Sequence, residues 1–404
     1  MYKKPDFEPS RQEMLEILGR HIRPFDRTET IHVINSQGRI CAADVAAVHT
    51  LPNTHYSCLD GIAVRFADFQ TEMPPDTSHW ELGKEYAFSN TGCALPGGYD
   101  TVIAIEKVAF DEEGRIEILV PPLAMGANVG EPGANVRENE ILVHKGTVIT
   151  PSIIGILISG GIAVINVLQK PKVAFLPTGD ELVAFGQEVP IGKNIESNSI
   201  MVGTYLKKWG ADPILYPIVP DDRQKLRAAM AKALLESDMV IICAGSSKGT
   251  KDFTMGILEE LGKVLVHELG HGPGKHCSFA LIDGKPVIGL PGPPMGTDLT
   301  AVYYVQNALR TMLLQPMCKP RTLEVTLVED VKPVRRLDFV LRLYVFRQNG
   351  RYYARPASPG TLTRAESLHR FNADLYTEKN LEYKAGQTVA AELRCAEEYI
   401  KDEQ

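Results

Sequence analysis

The stretch Leu176-Pro177-Thr178-Gly179-Asp180-Glu181-Leu182 follows an apolar run, residues 172–176, and precedes a turn-rich loop that ends at Ser197-Asn198-Ser199. This pattern predicts that Asp180 and Glu181 lie at the carboxyl end of a buried strand. In an open α/β sheet, ligands bind in the crevice beyond those strand ends, and adjacent carboxylates there can hold a hard cation against a phosphate. The alternative is a solvated turn that carries an ordinary acidic pair.

Two more loops of this kind follow along the chain. One, Ala244-Gly245-Ser246-Ser247-Lys248-Gly249-Thr250-Lys251-Asp252, lies between a β-like run, residues 239–243, and a predicted helix, residues 253–261. The other, Gly289-Leu290-Pro291-Gly292-Pro293-Pro294-Met295-Gly296, precedes an apolar helix predicted over residues 299–314. Free backbone N–H groups in such turns can bind an oxyanion. A single Gly-rich loop is a weak signal, but three within about 120 residues predict one shared phosphate-type site.

The pattern of residues 170–316 alternates between strands and helices, which predicts a doubly wound parallel sheet. The strands are expected at residues 173–176, 214–219 and 239–243. A helix is expected over residues 199–209, capped by Asn198 or Ser199 and ended by Gly210. Another helix is expected to begin at Asp221-Asp222.

The rest of the chain predicts a multidomain α/β protein. Residues 26–130 are rich in turns and β-branched residues, which indicates a β-rich domain, and residues 317–404 have short alternating runs typical of a small β-barrel or sandwich. Residues 1–25 and 131–169 are expected to form a discontinuous linking domain. The uncharged run 151–168 favours a short buried helix that ends near Ser159, followed by a strand, over a membrane span.

Composition restricts the function. The chain has 404 residues and a formal net charge of −7, which argues against general nucleic-acid binding. Its seven cysteines are scattered and include no CxxC pair, so we expect reduced thiols in a cytoplasmic protein. The first six residues lack the apolar core of a signal peptide. We therefore expect no membrane and no nucleic acid among the partners.

The segment His267-Glu268-Leu269-Gly270-His271 matches HExxH, in which two histidines one helical turn apart bind zinc. The motif requires a helix. Residues 263–266 favour a strand instead, and Gly270, Gly272 and Pro273 break helices. The third ligand would fall on Cys277. A zinc hydrolase is therefore a minor alternative.

Several short motifs occur in a particular order along nearly the whole chain. They are Ser57-Cys58-Leu59-Asp60-Gly61-Ile62-Ala63-Val64 (S-x-M-D-G-[YF]-A-V), Thr91-Gly92 before Pro96 and Asp100 (TG-x-x-x-P-x-G-x-D), residues 133–137 (G-x-N-[IV]-R), residues 177–182 ([PS]TGDEL), Ser197-Asn198-Ser199 ([SN]-N-S), Gly274-Lys275 (end of KPGKP), residues 290–292 (start of LPGNP) and Arg336-Leu337-Asp338-Phe339 (R-x-[ED]-[FY]). In this order and spacing the chain resembles the MoeA family, the molybdopterin molybdenumtransferases related to the E domain of gephyrin.

The resemblance implies a homodimer of four-domain subunits, with an α/β domain similar to MogA and MoaB. It implies that the protein inserts molybdate into the dithiolene of adenylylated molybdopterin, with hydrolysis that releases AMP and with help from Mg²⁺. A MogA-like adenylyltransferase is the implied partner that supplies the adenylylated pterin.

The resemblance also implies roles for individual residues. Catalytic roles fall on Asp60, Thr91, Glu181, Asp221 and Asp252, of which Glu181 and Asp252 would hold Mg²⁺. For Asp221, helix capping alone is the alternative. The residues implied in binding the pterin nucleotide or molybdate are Thr178, Gly179, Asp180, Ser197, Asn198, Gly245, Ser246, Ser247, Gly249, Lys275, Pro291, Gly292, Pro294, Arg336 and Arg342. The two arginines would supply positive charge across the dimer interface, with a solvated basic face as the alternative.

Four positions depart from the family pattern. Thr250 replaces an acidic residue, Gly272 a lysine, Pro293 an asparagine and Leu59 a methionine. The loss of one acid and one base roughly preserves the charge of the site but changes its metal and oxyanion geometry. A molybdopterin-binding or scaffolding paralogue without transferase activity is therefore the alternative to the enzyme.

Overall fold

The computed structural model describes residues 7–70, 74–244, 248–332, 337–357 and 368–403, without the side chains of residues 248–252. Contacts divide the chain into two compact units: residues 27–168 form one, and residues 1–26 together with 169–404 form the other. Within the described ranges, no helix has both the length and the apolar character needed to cross a membrane.

The first helix, α1 (Arg11–His21), begins with a capping box between Ser10 and Glu13. Its buried residues Met14 and Leu18 pack into the core of the α/β domain. We predicted that residues 1–25 associate with residues 131–169, but the structure places α1 on the α/β domain, because its apolar face is buried there.

The unit of residues 27–168 consists of short strands and two small cores. Its elements are β1 (Thr28–His32), a 3-10 turn (Val33–Asn35), β2 (Val45–Ala46), β3 (Tyr56–Ser57), β4 (Gly61–Val64), a 3-10 turn (Phe66–Phe69), β5 (Tyr86–Ser89), β6 (Thr101–Ala104), a 3-10 turn (Ile105–Lys107), β7 (Val108–Phe110), β8 (Ile116–Ile118), β9 (Val129–Gly130), β10 (Ile141–Val143), α2 (Pro151–Ser159) and β11 (Val164–Leu168).

One core lies around the sheet β5-β4-β6, and the other lies between α2 and the antiparallel pair β1–β11. Strand β1 therefore pairs with β11, and β2 pairs with β10. The sequence predicted a helix that ends near Ser159 and is followed by a strand, and α2 and β11 confirm it. Thr150 caps this helix by accepting a hydrogen bond from Ile153 N.

The α/β domain lies in the second unit, where its strands and helices occupy residues 172–312. Its elements are β12 (Lys172–Thr178), β13 (Leu182–Val183), β14 (Asn194–Ile195), α3 (Asn198–Lys208), β15 (Asp212–Leu215), α4 (Arg223–Glu236), β16 (Met239–Ala244), α5 (Lys248–Leu261), β17 (Lys263–Val266), β18 (His271–Gly272), β19 (Ser278–Ile282), β20 (Lys285–Pro291), α6 (Pro294–Thr300), a π turn (Ala301–Val305) and α7 (Gln306–Met312).

The central sheet has the order β15-β12-β16-β20-β19-β17. Strands β15, β12, β16 and β20 run parallel, whereas β19 and β17 add an antiparallel edge. Separate hydrophobic cores cover its two faces. This arrangement confirms the predicted doubly wound sheet, with an antiparallel edge that the sequence pattern did not predict.

Several predicted boundaries differ from the observed ones. Helix α3 begins at Asn198 with Ser197 as its N-cap residue, α5 begins at Lys248, and the helix predicted over residues 299–314 begins at Pro294 and ends at Met312. The strand predicted over residues 214–219 ends at Leu215 because Pro217 has no N–H to donate to the ladder.

The C-terminal strands form a closed barrel. They are β21 (Thr322–Leu327), β22 (Asp338–Gln348), β23 (Arg351–Pro356), β24 (Ala373–Thr377) and β25 (Thr388–Leu393), followed by a 3-10 turn (Glu397–Tyr399). The order is β22-β23-β21-β25-β24, and β24 pairs with β22 to close five strands. This confirms the barrel alternative of the sequence prediction. Strand β18 of the α/β domain extends the barrel by pairing with β22.

Candidate functional site

The three loops begin side by side at one edge of the central sheet. Thr178 at the end of β12 is in register with Ala244 at the end of β16, and Ala244 is in register with Pro291 at the end of β20. Because parallel strands share their carboxyl edge, the three following loops leave the sheet at the same place. The fold therefore brings together the starting points of loops that are far apart in the sequence.

The first loop is shaped by Gly179 and Glu181. Gly179 has a φ of 146°, which side chains disfavour, and a Cβ atom there would lie 2.5 Å from Glu181 Oε2. The half-buried Glu181 carboxylate thus lies directly against the glycine. Asp180 Oδ1 accepts a hydrogen bond from the N–H of Asp221 at 3.2 Å, and the Asp180 carbonyl accepts one from Lys193. Four predicted site residues, three from the loop after β12 and one just before α4, are therefore neighbours.

Asn198 connects helix α3 to the third loop. Its Nδ2 atom donates to the Gly292 carbonyl at 2.8 Å and lies 3.4 Å from Cys243 Sγ. The hydroxyl of Thr178 donates to the Cys243 carbonyl at 3.3 Å. Residues from the ends of three neighbouring elements thus meet around Cys243, whose pKa burial raises to about 12, so that the thiol stays protonated.

Glu196 is a site residue that the sequence analysis missed. It is buried and accepts hydrogen bonds from the N–H of Ser199, at 2.9 Å, and from the Ser199 hydroxyl. The carboxylate therefore fixes the first turn of α3, whereas Ser197 is exposed and makes no side-chain cap bond. An acidic residue three positions before a helical N–H is a capping signal that was available in the sequence.

Lys275 lies in a turn that packs on α6. A Cβ at Gly274 would lie 2.5 Å from Thr300 Cγ2, so the turn approaches the helix at van der Waals distance. Lys275 Nζ is 3.1 Å from Glu8 Oε1 and 3.8 Å from Glu268 Oε2. The structure therefore places this lysine near the third loop, in an ion-paired state.

The predicted role of Arg342 in a dimer interface needs correction. Its side chain is only 4% exposed, and its Nη2 atom is 2.6 Å from Asp298 Oδ2 of α6. A second carboxylate, Asp374, lies 3.4 Å from Nη1. The charge of Arg342 is thus used within the chain, between the barrel and the α/β domain, because two buried carboxylates need a partner there.

Asp60 and Thr91 belong to the unit of residues 27–168, and they are bonded to each other. Asp60 Oδ1 accepts hydrogen bonds from Thr91 N at 2.8 Å and from Thr91 Oγ1 at 3.1 Å. These bonds hold the pKa of the exposed Asp60 carboxyl below its usual value, so the group is ionised at neutral pH. Only glycine fits at position 61, where a Cβ would lie 1.9 Å from the Ile103 carbonyl oxygen.

The remaining predicted site residues are located as follows. Gly245, Ser246, Ser247 and Arg336 lie outside the described residues. Gly249 and Asp252 lie in the first turns of α5, where side chains are not described, and Pro294 is the first residue of α6.

Among the described side chains, no three His, Cys, Asp or Glu residues are grouped as metal ligands. Glu181 fits Mg²⁺, which typically takes one or two protein carboxylates and completes its shell with phosphates and water.

The HExxH match does not form a zinc site. Strand β17 ends just before His267, which is half-buried and lies 3.1 Å from Glu259 Oε1. His271 lies in β18, is fully buried and bonds Tyr304. Since the two histidines are not on one helix, they cannot chelate zinc as the motif requires.

The fold and these loops define a class: a multidomain α/β protein with a candidate ligand site at the carboxyl edge of a doubly wound sheet. A family model described as MoeA N-terminal region (domain I and II) matches residues 9–161, and one described as probable molybdopterin binding domain matches residues 174–311. A Haemophilus influenzae protein named molybdopterin molybdenumtransferase is 30% identical over 357 residues, 85% of this chain and 87% of the relative. The chain belongs to the MoeA family of transferases.

Other comparisons agree. A Bacillus subtilis protein with the same name is 29% identical over 388 residues, which cover 91% of this chain and 90% of the relative. The crystal structure of a molybdopterin biosynthesis MoeA protein from Pyrococcus horikosii superposes with a TM-score of 0.80 at 27% identity, and covers 96% of this chain and 99% of that one.

Proposed function

We propose that this protein is a molybdopterin molybdenumtransferase that inserts molybdate into adenylylated molybdopterin, with Mg²⁺-dependent release of AMP, in molybdenum cofactor biosynthesis. The observation that carries the proposal is the register of Thr178, Ala244 and Pro291, which starts three loops at one edge of the sheet. The name of the relatives, molybdopterin molybdenumtransferase, supports the transfer of molybdenum to molybdopterin.

The chain supplies complementary groups for such a substrate. The sequence predicts that the loops after β16 and β20 bind phosphate oxygens through backbone N–H groups. Glu181 and Asp252 would hold Mg²⁺, which when bound would neutralise the charge of the phosphates. Gly179 lets the Glu181 carboxylate lie against the backbone at the strand end, which orients it before any ligand arrives.

Asp60 and Thr91, which belong to the unit of residues 27–168, are proposed as further catalytic residues. Because hydrogen bonds from Thr91 lower the pKa of Asp60, the carboxylate is an acceptor at neutral pH and not a proton donor. Its proposed role is to accept a hydrogen bond from the substrate.

The experiment is incubation of the pure protein with adenylylated molybdopterin, Mg²⁺ and molybdate. AMP release together with formation of active cofactor is the expected result. Glu181→Gln should abolish the AMP release that Mg²⁺ stimulates. Glu188→Gln, the same change in an exposed loop, should leave this release unchanged. Tight pterin binding without turnover would favour the scaffolding paralogue that Thr250, Gly272 and Pro293 suggest.

We also propose that the protein acts as a homodimer in the cytoplasm and receives its substrate from a MogA-like adenylyltransferase. Helix α2 contains no charged residue and leaves Ile156 and Ile158 47% and 51% exposed. Such an apolar surface suits a second copy of the chain. Light scattering of the Ile156→Glu/Ile158→Glu variant should show a monomer if α2 contributes to the dimer.

A further inference from the structure

One carboxylate connects the two helices that border the candidate site. The hydroxyl of Tyr205 on α3 donates a hydrogen bond to Asp298 Oδ1 on α6 at 2.8 Å. Tyr205 lies about two turns beyond Asn198, which places both side chains on one face of α3. Asp298 lies in the same short helix that the third loop opens. The spacing between α3 and α6 is therefore held at two points, by Asn198 at one end and by Tyr205 further along.

Asp298 itself is held by the C-terminal barrel. Arg342 of β22 and Arg394, which follows β25, lie 2.6 and 2.5 Å from Asp298 Oδ2. Asp374 of β24 completes the group, 3.4 Å from Arg342 and 3.0 Å from Arg394. The side chains of Asp298, Arg342 and Asp374 are nearly fully buried, with 6%, 4% and 3% exposed.

The charges in this cluster balance, since two carboxylates face two guanidinium groups. Burial of a single charge would be strongly unfavourable, and paired burial offsets that cost only in one particular geometry. The cluster therefore fixes where the Asp298 carboxylate stands relative to the barrel. No strand-end loop of the candidate site comes from the barrel, so this link gives the barrel an indirect connection to the site.

The neighbours of Tyr205 orient its ring and keep its hydroxyl protonated. Its ring stacks on Trp209 with centroids 4.9 Å apart and planes within 2°. Burial and the neighbouring Asp298 carboxylate raise its pKa to about 12, so the hydroxyl remains a hydrogen-bond donor throughout the physiological range.

We propose that Tyr205 and Asp298 are positioning residues for the transferase site: they set the spacing between α3 and α6, and thereby hold the Asn198 amide against the Gly292 carbonyl. Arg342 and Arg394 act through Asp298. The kinetic part of this inference rests on the proposed function.

The test begins with Tyr205→Phe, which removes one hydroxyl and leaves every ion pair intact. We expect the KM for adenylylated molybdopterin to rise about fivefold, the effect of losing one hydrogen bond, with kcat within twofold. Tyr352→Phe is the matched control, because Tyr352 donates to Glu397 at 2.6 Å on the exposed barrel surface. The control should leave the KM unchanged. A Tyr205→Phe variant that lowers Tm but keeps the wild-type KM would overturn the proposal.

The double variant Tyr205→Phe/Asn198→Ala separates positioning from independent effects. If both residues hold the same spacing, the free-energy changes calculated from the KM increases of the two single variants do not add up in the double variant. Additive increases contradict the proposal.

Amide hydrogen exchange tests the positioning role of Tyr205 without depending on which reaction the protein catalyses. Tyr205→Phe should speed exchange in the first turn of α3 by several-fold, and Tyr352→Phe should not. An unchanged exchange rate in the first turn of α3 would contradict the inference, whether or not the protein releases AMP. Failure of the wild-type protein to release AMP, with faster exchange in the variant, would instead reject only the proposed function.

Discussion

The side-chain amide of Asn198 donates a hydrogen bond to the backbone carbonyl of Gly292 at 2.8 Å. The two residues belong to motifs almost a hundred positions apart in the chain. This bond joins the first turn of α3 to the loop after β20, at the sheet edge where Thr178 and Ala244 also end their strands. Sequence motifs that looked independent are thus parts of one structure.

Asn198→Ala should weaken both the site and the fold. Loss of the bond leaves the Gly292 carbonyl without this donor, and we expect the free energy of unfolding to fall by about 1 kcal/mol and the KM to rise about fivefold. Chemical denaturation and steady-state kinetics measure the two effects. Asn53→Ala, a change at an exposed asparagine, is the control and should alter neither. An unchanged KM would mean that the bond does not serve the site.

Gly179→Ala should displace the Glu181 carboxylate. The added Cβ would lie 2.5 Å from Glu181 Oε2, and the φ of 146° adds backbone strain. We expect stability to fall by about 1–3 kcal/mol and the Mg²⁺ concentration for half-maximal activity to rise at least tenfold. Gly186→Ala is the matched control, since Gly186 also has a positive φ, 81°, but an added Cβ there would meet no atom within 4 Å. An equal Mg²⁺ effect in both variants would count against a role for Glu181.

His271 should make the fold sensitive to mild acid. Burial, followed by the charge of Arg11, lowers the pKa of His271 from 6.5 to about 4. The unfolded chain therefore binds the proton more tightly than the folded one, so stability is full above about pH 6.5 and falls as the pH drops towards 4. The loss attributable to this residue is at most about 3 kcal/mol.

Urea unfolding at several pH values between 7 and 4.5 measures this dependence. The His271→Gln variant should have a flatter stability profile, whereas His144→Gln, at a histidine that is 76% exposed, should keep the wild-type slope. Equal slopes in all three proteins would show that His271 is not the titrating group.

Arg342→Ala should destabilise the protein strongly. It removes one of two guanidinium groups from the buried cluster with Asp298 and Asp374 and leaves a net buried negative charge. The expected loss is about 3–5 kcal/mol. Arg347→Ala breaks an exposed pair with Asp402 at 2.6 Å and should destabilise the protein far less, because water screens exposed ion pairs. Thermal unfolding compares them, and similar losses in the two variants would contradict the buried-cluster argument.

Much of the α/β domain followed from sequence pattern. The apolar run before Thr178 and the run before Ala244 are buried in adjacent parallel strands, as predicted, and Asp222 caps α4 by accepting a hydrogen bond from Lys225 N at 2.8 Å. Local signals sufficed because strand burial and helix capping involve residues that are near each other in the sequence.

Contacts between distant segments were not predictable in the same way. Arg342 looked like a surface cation on a β-domain, yet it is buried because Asp298 and Asp374 arrive from other elements. Helix α1 was assigned to a linking domain, yet it packs on the α/β core. Neither partner lies near these residues in the chain, so no local pattern indicates the pairing.

The sequence by itself determined the order of strands, turns and helices, the family motifs and the acidic pair at residues 180 and 181, because backbone preferences and hydrophobic periodicity are local properties. Only the tertiary structure decided that Thr178, Ala244 and Pro291 end their strands side by side, and that Asn198 bonds Gly292. Sheet register and buried charge pairing depend on which distant segments exclude water together, and that is settled only when the chain packs.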